Sequence, residues 1–255
     1  MAEAHVTSLR LCPVRGLKPL PLQAVVLRPW GLEGDSRWMI ADASGHVLDA
    51  RTCPALARLS VRVAGHGVLL GCAGLRPYHA RPPRRGVPMQ CLRQRGARIM
   101  MRDVGDDAAR WLRRAVGIAC RLYWLPAPEL VCTYFAGSMQ LAQALAETFQ
   151  TWASTELAHL SGGGIVLAGA DKSMLGHGQP LALGSAVVRL SAQINRSGGG
   201  AAQAESAPPR RYRVQVEKAG MVWEGSRVIP RESGMVPGRH AGGSALADSL
   251  LRTQQ

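Results

Sequence analysis

The residues best placed to do chemistry gather in the stretch Gly31–Leu59. Asp35 and Arg37 stand just before an apolar run, Trp38-Met39-Ile40, and Arg51 stands just after a second short run. Between them, Asp42-Ala43-Ser44-Gly45 puts Asp at the start of a turn and Gly near its end. The pattern predicts a hairpin with strands Arg37–Ala41 and His46–Ala50, closed by a short loop. Charges at strand ends beside a turn can face a shared anionic ligand. They can equally be a solvated rim, since charged side chains are ordinarily exposed.

The cysteines and histidines suggest less. Cys12, Cys53, Cys72, Cys91, Cys120 and Cys132 form no paired spacing, and the histidines form no zinc pattern. Buried free thiols are therefore expected, because free Cys packs as a small hydrophobe. The glycines following Ser161 could form an anion-binding nest. They lack the lysine and hydroxyl of a phosphate loop, and a flexible turn is the simpler expectation.

The formal net charge is +14, and the excess is nearly all arginine, with Lys18, Lys172 and Lys218 the only lysines. Such a balance attracts nucleic acid, anionic membranes or phosphorylated ligands. Guanidinium groups suit phosphate by bidentate hydrogen bonding, although a GC-rich coding sequence would produce the same bias. With aromatics at 5% and no helix-turn-helix, zinc-finger or RNA-recognition signature, nucleic acid ranks last among these partners. No apolar run approaches the ~18–20 residues of a membrane span, and the N-terminus lacks the basic start and apolar run of a secretory leader. The expectation is a soluble cytoplasmic protein with no membrane partner.

The elements that must position these residues are mainly strands. Period-two patterns predict strands at His5–Leu11 and Leu20–Arg28, and a pair at Leu59–Val63 and Gly67–Leu70 around Gly65. Arg76–Pro88, rich in proline and arginine, reads as a surface loop, with a basic polyproline docking segment as the lesser alternative. A strand at Arg98–Arg102 leads to a helix opening at Asp103 or Gly105-Asp106 and ending at Gly117. Its apolar stripe is Ala108, Trp111, Leu112 and Val116. A strand follows at Ala119–Leu125, and Pro126 and Pro128 mark a domain boundary. Beyond it come a helix at Ser138–Trp152, a strand at Gly164–Ala168, a hairpin at Leu181–Leu190 and a low-complexity loop at Ser197–Pro209. Arg211–Val216 and Met221–Glu224 form the last strands. The fold class is α+β, mainly β, with a barrel-like domain over 1–126, a second domain over 127–238 and a disordered tail over 239–255.

Four segments in order resemble the β-barrel domain that precedes MOSC (molybdenum-cofactor sulfurase C-terminal) domains. They are Leu11-Cys12-Pro13-Val14-Arg15-Gly16, Gly31–Ala41, Asp49–Pro54 and Gly105–Leu122. More weakly, Gly164–Asp171, Leu181–Ser197 and Tyr212–Gly238 are similar to strands of the MOSC domain itself, which implies a second β-barrel with a few helices. The resemblance implies a molybdenum–pterin cofactor held between the two domains, gripped at its phosphate by basic side chains and ligated at its metal by a cysteine thiolate. On the matching positions, Arg15, Gly16, Ser36, Arg37, Arg51 and Arg196 would bind the cofactor.

This sequence departs from the family at several of these points. Arg15 and Gly16 stand where the family has lysine and serine, and Ser36 stands where it has arginine. Leu160–Gly164 replaces a basic segment, and Ser197 stands at the position of the metal-ligating cysteine. Ser197 offers a hard, neutral hydroxyl in place of a soft thiolate. The implied activity is reduction of N-hydroxylated compounds with a redox partner protein, or sulfur transfer. The alternative is a non-catalytic relative that binds a phosphorylated small molecule or a protein partner through a basic cleft.

Overall fold

The computed structural model describes residues 3–94, 97–126, 150–153, 164–170, 174, 179–194 and 210–231. In chain order, the first strands are β1 (His5–Leu11), β2 (Leu20–Leu22), β3 (Ala24–Arg28), β4 (Gly31–Leu32) and β5 (Trp38–Asp42). A 3-10 turn, Pro54–Arg58, leads to β6 (Ser60–Ala64), β7 (Gly67–Cys72), β8 (Leu75–Ala80), β9 (Met89–Gln94) and β10 (Ala97–Asp103). Helix α1 (Asp106–Val116) precedes β11 (Cys120–Trp124). Then come β12 (Gln150–Ala153), β13 (Gly164–Ala168), β14 (Pro180–Leu183), β15 (Ala186–Ile194), β16 (Arg210–Lys218), β17 (Gly220–Trp223) and β18 (Val228–Pro230). The fold is α+β and mainly β, and α1 is the one α-helix among the described residues.

The strands form four sheets, none of which closes on itself among the described residues. The largest has eight strands in the order β18-β14-β15-β16-β12-β13-β1-β2. Strand β1 enters it by antiparallel pairing with β13, with Leu9 opposite Ile165 and Arg10 opposite Gly164. A four-stranded sheet, β5-β11-β10-β9, and two three-stranded sheets, β17-β3-β4 and β6-β7-β8, complete the set. Strands from both sides of Pro126 therefore share sheets: β1 with β13, and β3 with β17.

Helix α1 forms where its sequence predicts. Asp106 and Asp107 occupy the first turn, Arg113 and Arg114 the last, and each sign complements the helix dipole. Gly117 ends the helix in the left-handed region (φ +86°), and its N–H donates to the Arg113 carbonyl at 2.9 Å. Ala108, Leu112, Ala115 and Val116 face a core with Trp38, Ile40, Leu56, Leu70 and Leu122. A second core lies between the eight-stranded sheet and β3 and β17, around Leu9, Leu27, Ile165, Leu181 and Val222. A third, with Met39, Ile99, Met101 and Tyr123, covers the other face of β5, β11 and β10.

Several expectations need correction. Leu20–Arg28 is two strands, because β2 pairs with β1 while β3 pairs with β17. The break falls at Gln23, whose carbonyl accepts the Glu224 N–H at 2.9 Å. The return segment His46–Ala50 makes only isolated bridges. Its backbone divides its bonds, Leu48 N–H going to the Ile40 carbonyl (2.8 Å) and Val47 N–H to the Arg93 carbonyl (3.0 Å). Arg76–Ala80 belongs to β8 and is no loop. Pro77 is tolerated there because β8 is an edge strand and its pairing shifts register between Leu70 and Cys72 of β7.

Further along, β9 is a strand the alternation did not reveal. The predicted helix over Ser138–Trp152 ends instead in β12, which lies between β13 and β16, and residues 138–149 are outside the described residues. The last predicted strands exist, but β16 stays in the large sheet and β17 crosses to β3. The loop over Ser197–Pro209 and the tail beyond residue 238 are also outside the described residues.

Leu112 is fully buried against the 3-10 turn and β11. Leu112→Ala is expected to destabilise the fold by ~2–5 kcal/mol, through lost transfer energy plus a cavity, measured as a lowered urea midpoint with unchanged slope.

Candidate anion-binding site

Three turns that lie apart in the sequence meet at one end of β5. The first, Cys12–Gly16, leaves β1 and runs alongside the start of β5: the Trp38 N–H donates to the Pro13 carbonyl (3.0 Å) and the Arg15 N–H to the Trp38 carbonyl (2.8 Å). The second, Asp35–Arg37, is locked onto the first. The Ser36 N–H donates to the Cys12 carbonyl at 2.8 Å, and the Asp35 carboxylate accepts the Cys12 N–H at 2.7 Å and the Ser36 hydroxyl at 3.0 Å. The third, Asp49–Thr52, is organised by its own aspartate, whose Oδ1 accepts the N–H groups of Arg51 (2.9 Å) and Thr52 (3.0 Å).

Gly16 joins the third turn to the first. Its φ is +84°, and a Cβ there would lie 2.9 Å from Asp49 Cα and 3.0 Å from the Leu48 carbonyl oxygen. Only glycine supplies both the left-handed backbone and the missing volume. Ser36 also adopts a positive φ, 50°, while 1% exposed, a conformation a non-glycine residue holds only when its surroundings over-determine it.

The structure thus brings together Arg15, Gly16, Ser36, Arg37 and Arg51, with differing dispositions. Arg15 is half-buried and Arg51 exposed. Ser36 is buried with its hydroxyl on Asp35. The Arg37 side chain turns toward β11, donating from an Nη to the Pro126 carbonyl (3.1 Å) and lying 5.4 Å from the centroid of the Trp124 ring. Arg196 and Ser197 lie outside the described residues. Asp49 escaped the sequence reading as a site residue, although an Asp three residues before a Thr is a turn signature that could have revealed it.

Cys12 sits at the centre of the cluster, with its thiol facing the carbonyls of Val14 (3.2 Å) and Leu17 (3.4 Å). Burial, reinforced by the negative charge of Asp35, pushes this thiol up to about 12, so it is protonated at neutral pH. Cys120, pushed up to about 11 by burial and then by Cys53, is likewise no thiolate. Cys53 is buried too, but Cys91 is exposed and Cys72 half-buried, which corrects the expectation of uniformly buried thiols; Cys132 is outside the described residues.

A molybdenum–pterin group needs a phosphate grip and a soft metal ligand. Arg15 and Arg51, on adjoining turns, fit the first requirement. For the second, the described part of the cluster offers only the protonated Cys12, and among the described residues no group of three His, Cys, Asp or Glu side chains could hold a metal ion. Among them, too, no helix is long and apolar enough to cross a membrane.

The model of the MOSC N-terminal beta barrel domain matches residues 3–119, the stretch that supplies all three turns. This part of the chain is similar to that family, and the match does not extend into the C-terminal half. The family is linked to the molybdenum cofactor. Among solved structures, the solution structure of a protein from Bordetella bronchiseptica is similar at 21% identity with a TM-score of 0.32, covering 40% of this chain and 85% of that chain. No curated protein matches.

Two outcomes follow from this geometry. Gly16→Ala is expected to destabilise the protein by more than ~1 kcal/mol through strain at positive φ and collision with Asp49, seen in chemical denaturation. In alkylation with iodoacetamide at pH 8, mapped by mass spectrometry, exposed Cys91 is expected to react well before Cys12. The Cys12 thiol should gain reactivity only as pH rises toward its elevated value.

Proposed function

We propose that the protein binds the molybdenum–pterin cofactor by its phosphate at the three-turn cluster. The single observation behind this reading is that the turns matching the MOSC N-terminal domain converge, bringing Arg15 and Arg51 onto adjoining loops. Arg15 and Arg51 supply charge-assisted hydrogen bonds to phosphate oxygens. Asp35, Gly16 and Asp49 hold the turns that carry them. When bound, the group supplies the redox or sulfur-transfer chemistry at molybdenum that the resemblance implies, with N-hydroxylated compounds as substrates and a redox partner protein as electron source. Arg196 and Ser197 belong to the same reading as the remaining cofactor contact and the residue beside the metal.

A second reading rests on the state of Cys12 and the identity of Ser197. With Cys12 a protonated thiol and a hydroxyl at the family's cysteine position, the same turns serve a non-catalytic protein that binds a phosphorylated small molecule or a protein partner.

Molybdenum and pterin, measured in the full chain purified from a cofactor-producing host, decide between the two. The first reading predicts near-stoichiometric metal and pterin. It also predicts that Arg15→Glu lowers occupancy about tenfold or more, as loss of a charged hydrogen bond worth ~1.5–3 kcal/mol implies. Pterin or phosphate retained without metal supports the second, and occupancy unchanged in Arg15→Glu overturns the turn cluster as the site.

A further inference from the structure

A second basic group lies in the four-stranded sheet beside the turn cluster. Across β9, β10, β11 and β5, the residues Met89, Arg102, Trp124 and Trp38 stand directly opposite one another. Directly paired residues share a face with Cβ atoms ~4.5–5.5 Å apart, so the Arg102 side chain starts beside Trp124. The indole of Trp124 is half-buried; it meets the Trp38 ring at 6.5 Å, and the Arg37 guanidinium lies 5.4 Å from its centroid. One arginine from the turn before β5 thus lies over the indole, and a second, on β10, stands opposite it in register.

The Arg102 Nε is withdrawn from solvent and has no hydrogen-bond partner. The carboxylate next to it in sequence, Asp103, points to the opposite face of the strand and is held by Arg121. No ion pair within the described residues reaches Arg102. A desolvated guanidinium donor without an acceptor is costly, and it calls for a reason. The Nε–H and a neighbouring Nη–H are the fork with which arginine takes two oxygens of one oxyanion. The cationic face of Arg37, fixed over Trp124 by its bond to Pro126, adds a second positive charge without needing to move.

We propose that Arg102, Arg37 and Trp124 form a second oxyanion subsite, which takes a phosphate or diphosphate group. Arg102 binds it through its fork, Arg37 contributes charge, and Trp124 holds the two cations apart at a fixed spacing. The subsite shares Arg37 with the turn cluster but uses neither Arg15 nor Arg51, the two phosphate contacts of the cofactor reading.

Calorimetric titration of the full chain with inorganic pyrophosphate, at ionic strength held constant with sodium chloride, tests this. Saturable binding is expected, with an accompanying change in tryptophan fluorescence that Trp124→Phe removes. Arg102→Met is expected to weaken binding about tenfold, the scale of one bidentate charge-assisted contact, and Arg62→Met, at an exposed position on β6, to leave it unchanged. Without pyrophosphate, Arg102→Met should unfold at the same temperature as the parent or higher, because it removes an unmet donor. If Arg102→Met does not fold, Arg102→Lys, which keeps charge but lacks the fork, is expected to bind more weakly than the parent. The proposal is overturned if the parent shows no saturable binding, or if the Arg102 variants bind as the parent does. It is also overturned if Arg62→Met weakens binding as much as Arg102→Met does, or if Arg102→Met lowers the unfolding temperature in the absence of pyrophosphate.

Discussion

The candidate site depends on the Asp35 carboxylate. One of its oxygens accepts the Cys12 N–H and the other accepts the Ser36 hydroxyl, so a single side chain ties the end of β1 to the start of β5. A hydrogen bond to a charged acceptor is worth ~1.5–3 kcal/mol, enough to hold Ser36 at a positive φ that it would not adopt alone. The same carboxylate helps keep the Cys12 thiol protonated, though burial is the larger cause. Structure and chemistry meet here: the residue that builds the turn cluster also removes its one described cysteine from service as a thiolate.

The sheet connectivity explains why the turns stay where they are. Strand β1, which leads directly into Cys12–Gly16, is held between β13 and β2 in the large sheet. Strand β5, which leads away from Asp35–Arg37, is held by β11 in another. The turns bridge two sheets with separate cores, and neither sheet alone would fix them. Gly16 then lets the Asp49 backbone approach to a distance that any side chain would block. Strands beyond the stretch that matches the MOSC N-terminal domain pair with it in two sheets, β13 with β1 in the large sheet and β17 with β3 in a three-stranded one.

Much of this was legible in the residues. His5–Leu11 and Gly164–Ala168 are strands as read, and α1 runs from its acidic first turn to Gly117, because alternation, capping and dipole preferences agree there. The hairpin after Trp38 was legible in its turn, where Asp42 Oδ1 accepts the Ser44 and His46 N–H groups. Its return segment, read as a strand over His46–Ala50, forms none, because its backbone bonds are divided between β5 and Arg93, distant in sequence. Strands β8 and β9 were hidden for a related reason: each exists by pairing with a neighbour, and Pro77 masks the first. Of the candidate site, Arg15, Gly16, Ser36, Arg37 and Arg51, taken from motif order, lie on turns that meet in the structure. The outward turn of Arg37 onto Trp124 was not legible, since it depends on a strand nearly ninety positions away.

The most direct test of this account is hydrogen exchange in an Asp35→Ala variant, followed peptide by peptide. If Asp35 is the tie, protection should fall in the peptides spanning residues 12–16, 35–38 and 49–53 together, while α1 and β11, built on the Leu112 and Leu122 core, stay protected as in the parent. Unchanged protection in the three turns, or loss confined to residues 35–38, would contradict the claim that this one carboxylate assembles the site.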